Sequence, residues 1–71
     1  MQRPLDVLGS STDKKIIIRT KAGENITGIL KAFDSHINIW LDDANIQGEK
    51  ELNLGKVLIR GDSIVYISPE K

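Results

Sequence analysis

Ile16-Ile17-Ile18, Val57-Leu58-Ile59 and Ile64-Val65-Tyr66-Ile67 are three runs of consecutive large apolar residues in a chain of 71. Successive side chains of an extended strand point to opposite faces, so each run presents apolar surface on both. A sheet with one solvated face would alternate apolar with polar residues instead. One face fills a core, and the other needs a second cover that so short a chain cannot supply in full. Neighbouring copies are expected to supply it, through strand edges left open for pairing. The energetics point the same way. A core of this size seldom yields more than about 3–5 kcal/mol of net stability. With no cysteine in the chain, disulfides and thiolate zinc sites are excluded.

Eleven isoleucines against seven leucines favour pleated sheet over helix, so the expected class is all-β. The exception is "RPLDVLG", where Pro4 suits a first helical turn, Leu5 and Leu8 share a face, and Gly9 can end the helix. Five strands are expected after it, at residues 14–20, 26–33, 39–43, 51–59 and 63–68. Turns separate them at 21–25, 34–38, 44–50 and 60–62. Gly28 and Gly55 fall inside strands and mark points of bending or close backbone approach. The reading is of one domain over 1–71, with a helix at about 3–9 and a sheet at about 15–68. Residues 1–2 and 69–71 are expected to fray.

Ten basic residues cancel ten acidic ones. That balance argues against nucleic-acid binding through a broad cationic surface, because such affinity comes from neutralising phosphates. It leaves room for a few shaped pockets. No apolar run approaches the roughly 20 residues that span a bilayer, and the N-terminus does not read as a signal peptide. The expected location is cytoplasmic, with no membrane partner.

Two polar loops interrupt the apolar strands: Asp34-Ser35-His36-Ile37-Asn38 and Arg60-Gly61-Asp62. If the sheet curls into a small barrel, both can lie at one end and converge. An imidazole and a guanidinium are flat and can sandwich a nucleobase. An Asn amide sets a donor beside an acceptor, which matches the edge of uracil. Gly61 admits close backbone approach, and Asp62 or Asp34 can orient Asn38 and Arg60. Plainer readings compete: a solvated loop histidine, Asp34 as a turn residue, Asn38 holding a left-handed turn, and an exposed Arg60–Asp62 ion pair. Trp40 and Tyr66 read by default as core or interface residues. "RGD" also matches an integrin-binding tripeptide, and three residues carry little weight.

Asp34, Ser35 and His36 are the residue types of a hydrolytic triad, yet neighbours in one short loop rarely converge as nucleophile, base and orienter. No catalytic residue, metal ligand or cofactor is expected. A peptide groove of the SH3 type would need more aromatic residues than Phe33, Trp40 and Tyr66, which are scattered along the chain.

"ITGILKAFDSHINIWLDDA" resembles the first signature of the Sm and Sm-like (LSm) proteins, and "VLIRGDSIVYI" resembles the second. The likeness extends through "RPLDVL" and is greatest to the short archaeal Sm-like proteins. It rests on Gly28, Leu30, Phe33, Asp34, His36, Asn38 and Leu41 at family spacing, followed by Arg60-Gly61-Asp62. The resemblance implies a short helix on a strongly bent five-stranded antiparallel sheet, an open SH3-like barrel. It implies a homo-oligomeric ring, commonly of seven, joined by edge-strand pairing, with single-stranded uridine-rich RNA bound at the pore. His36 and Arg60 would stack on the base, Asn38 would read its edge, Asp62 would support Asn38, Gly61 would offer its backbone, and Asp34 would shape the loop. Arg3 would make a secondary RNA contact, and RNA-processing proteins would be further partners. The expected role is RNA processing or RNA chaperoning. The rival is an oligomeric scaffold with only incidental RNA contact. Trp40 departs from the pattern, which expects an aliphatic residue there.

Overall fold

The computed structural model describes residues 3–69; the expected fraying of residues 1–2 and 70–71 lies outside them. Helix α1, Pro4–Ser10, opens with the Arg3 amide donating to the Asp6 carboxylate (3.3 Å) and the Arg3 carbonyl accepting from the Asp6 and Val7 amides. It runs through Gly9 rather than stopping there. It ends where the Ser10 and Ser11 hydroxyls both donate to the Val7 carbonyl, at 2.9 and 3.0 Å. Leu8 is buried. Leu5, expected beside it, is 41 % exposed, so the helix contributes one leucine to the core rather than two.

Six antiparallel strands follow: β1 Lys15–Thr20, β2 Asn25–Phe33, β3 Ile39–Gln47, β4 Glu51–Leu54, β5 Val57–Ile59 and β6 Ile64–Pro69. The sheet order is β4-β3-β2-β1-β6, with β5 also on β3. The expected fourth strand is thus divided at Gly55-Lys56 into β4 and β5. Both halves still pair β3, at Ala44–Gln47 and Ile39–Leu41 respectively. The third strand is longer than expected. Residues 44–47 read as turn but continue β3, because Ala44 and Ile46 alternate inward between β2 and β4 and leave only 48–50 as the link. Pro69, expected to fray, closes β6 opposite Ile16.

The sheet bends at one level across three strands. Gly28 lies with its Cα against β3, where an added Cβ would stand 3.1 Å from the Asp42 carbonyl oxygen and 3.2 Å from the Leu41 side chain. Next along β3, Asp43 turns left-handed (φ 52°), and β4 breaks from β5 just beyond the Gly55 carbonyl that accepts from Ala44 N–H (3.1 Å). Register shifts between Thr27 and Ile29 and between Leu30 and Ala32 add twist, as bulges do. The curled sheet encloses Ile16, Ile18, Ile26, Leu30, Ile39, Leu41, Ala44 and Ile59, with Leu8 of α1 covering one end. In β1 the alternation is clear: Ile16 and Ile18 are fully buried and Ile17 between them is only half-buried. The outward members of the other runs, Leu58, Val65 and Tyr66, stand exposed in the protomer.

Candidate functional site

The turn from β2 to β3 is organised by one carboxylate. Asp34 Oδ1 accepts from the backbone N–H groups of His36 (2.9 Å) and Asn38 (3.1 Å), and Oδ2 accepts from Asn38 Nδ2 (3.0 Å). These bonds to the ionised form hold the Asp34 carboxyl below its usual range, the Asn38 side-chain bond contributing most. The left-handed residue in this turn is Ile37 (φ 62°), not Asn38. A β-branched side chain disfavours that region, so the surrounding bonds impose it.

The second loop is a single 3₁₀ turn, Gly61–Ser63, closed by Ser63 N–H and the Ser63 hydroxyl on the Arg60 carbonyl (3.0 and 2.7 Å). It docks on the first loop through Gly61, whose N–H donates to Asn38 Oδ1 (2.8 Å) across 23 residues of sequence. Here only glycine fits. A Cβ at Gly61 would collide with the His36 carbonyl oxygen and the Ile37 peptide.

The two loops enclose one open recess of about 470 Å³, lined by His36, Asn38, Arg60, Gly61 and Asp62. All five residues expected to bind a base therefore meet. The expected support of Asn38 by Asp62 is corrected: Asp62 pairs with Arg60 instead (3.0 Å, both exposed), and Asp34 holds Asn38. Arg3 is exposed at the start of α1 and takes no part in lining the recess. Ile37 is the structural residue that the sequence reading missed, and a β-branched residue gives no advance signal of positive φ.

The bonding fixes which way the Asn38 amide faces. Nδ2 spends one hydrogen on Asp34 and Oδ1 one lone pair on Gly61, leaving one donor and one acceptor free. Uracil offers the complementary acceptor and donor. Cytosine offers an amino donor in place of the exocyclic oxygen. Rotating the amide to suit it would break both internal bonds, each worth about 1 kcal/mol net and more to the carboxylate.

Asp34 is engaged with backbone and with Asn38. Among the described residues, no group of three or more His, Cys, Asp or Glu side chains is placed to hold a metal ion. No described helix is long and apolar enough to cross a membrane.

A bent antiparallel sheet capped by a short helix, with two loops meeting at a polar recess, defines a small β-barrel of the Sm type. The LSM domain family model matches residues 6–69, and the chain belongs to that family. It is 44 % identical over 69 residues to an snRNP Sm-like protein of Methanosarcina barkeri, covering 94 % of this chain and 96 % of that one. The Sm protein of Pyrococcus abyssi, solved in complex with a uridine heptamer, superposes with a TM-score of 0.90 at 39 % identity, over 97 % of this chain and all of that one. A heptameric archaeal Sm protein superposes with a TM-score of 0.86 at 30 % identity, over 92 % and 97 % of the two chains.

Proposed function

We propose that this chain assembles into a ring of identical subunits, seven as in its heptameric relative. The ring binds single-stranded uridine-rich RNA, one base to each recess. The reading rests above all on the Asp34–Asn38–Gly61 chain of hydrogen bonds. It joins two distant loops and leaves the Asn38 amide facing the recess in the orientation that suits uracil. His36 and Arg60 stack on the base, Asn38 reads its edge, and Gly61 and Asp62 complete the wall.

Assembly follows from the edges. Among the described residues, β4 and β5, the two halves of one edge, pair only β3 and β6 pairs only β1, leaving two unlike edges open. An apolar groove between α1 and β6, lined by Pro4, Val7, Ile64, Tyr66 and Ile67, offers a neighbour's apolar side chains a seat. The ring explains how a neutral protomer binds RNA, because a nucleotide docked in one recess brings the next to its neighbour at high effective concentration. The role is binding rather than catalysis, in RNA processing or chaperoning with protein partners of that machinery, and the location is cytoplasmic.

The test is a titration with oligo-uridine and oligo-cytidine, with native mass read in parallel. Wild type is expected to form one closed oligomer and to prefer uridine. His36→Ala and Asn38→Ala are expected to keep that mass and weaken uridine binding about tenfold or more, on the scale of a lost stacking or bidentate contact. Equal affinity for the two oligomers would favour the scaffold reading instead.

A further inference from the structure

The outer face of the sheet continues beyond the recess. Trp40 stands opposite Ala32 of β2 and Leu58 of β5 in the strand register. It is 47 % exposed and Leu58 66 %, while their chain neighbours Ile39, Leu41 and Ile59 are buried on the core side. Asn38 immediately precedes β3 and Arg60 immediately follows β5, two residues along the chain from Trp40 and Leu58 respectively. An exposed aromatic surface therefore adjoins, along the chain, the two residues proposed to reach the base.

We propose that Trp40 is a base-stacking subsite for the nucleotide adjoining the one held in the recess. The proposal rests on the RNA reading above. Stacking on an indole face tolerates any base and is stronger for a purine, whose overlap is larger. The recognised unit is then a dinucleotide step: uridine in the recess, and a base of either class, preferably a purine, on Trp40.

Trp40 is the single tryptophan of the chain, so intrinsic fluorescence reports this position alone. Labelled oligo-uridine, and an alternating uridine–adenosine oligomer of equal length, are titrated into the assembled protein with anisotropy and tryptophan emission read together. Emission is expected to be quenched with the midpoint of the anisotropy change. Trp40→Leu is expected to weaken binding roughly five- to tenfold, more for the alternating oligomer, with the native mass unchanged. Binding without quenching, or with unchanged affinity in Trp40→Leu, overturns the subsite and leaves the recess reading standing. A Trp40→Leu protein of altered oligomeric mass assigns Trp40 to a protein contact and also overturns it. Failure of wild type to bind either oligomer removes the RNA reading and this inference with it.

Discussion

Asp34 shows how much a single carboxylate can organise at the scale of one residue. It fixes the turn, imposes the left-handed Ile37 and orients the Asn38 amide. Its carboxyl titrates below the ordinary value of 3.8 because Asn38 and backbone N–H groups bond the ionised form. A depressed carboxyl stabilises the fold above the unfolded value, and that contribution disappears as pH falls through the folded one. Uridine binding is therefore expected to persist as pH is lowered to the ordinary carboxyl value of 3.8 and to fail only as pH falls further, through the depressed folded value, when protonation frees Asn38. Asp34→Asn should bind weakly throughout and show no such acid transition; affinity measured across pH 3–6 checks both. The sequence displayed every residue lining the recess, because polar side chains stand out among isoleucines. It did not show which carboxylate serves Asn38. Asp34 and Asp62 are chemically alike, and only the folded bonds, Asn38 to Asp34 and Arg60 to Asp62, distinguish them.

At the scale of elements, the bend at Gly28, Asp42-Asp43 and Gly55 brings the two loops to one end of the barrel. Gly28→Ala puts a methyl group against the Asp42 backbone and the fully buried Leu41, neither of which can yield. A loss of about 1–3 kcal/mol is expected, on the scale of overpacking, measurable as a lowered denaturant midpoint. Both glycines were legible as bending points. The length of β3 was not, although Ala44 and Ile46 do alternate with Asn45 and Gln47. Those two amides, with Gly48 after them, carry the composition of a turn, and pairing on both sides overrode it. The division of the fourth strand escaped notice for a related reason. Gly55 marked the place, but only the curvature of β3 decides whether pairing breaks there.

At the scale of the whole molecule, zero net charge and a recess built from flat side chains distinguish this chain from highly basic RNA binders. The logarithm of affinity falls with salt in proportion to the phosphates neutralised. Arg60 is the one Lys or Arg lining the recess, so a shallow slope is expected between 50 and 200 mM salt, and a steep one would replace the stacking account with a cationic surface. The unlike open edges of β5 and β6 carry a genetic consequence. In the proposed ring, a subunit altered only in β6 would still offer an intact β5 edge, so it would join a growing arc and halt it. Expressed beside the normal chain, such a variant would act as a dominant poison. Closed rings would be lost far out of proportion to its share of the subunits.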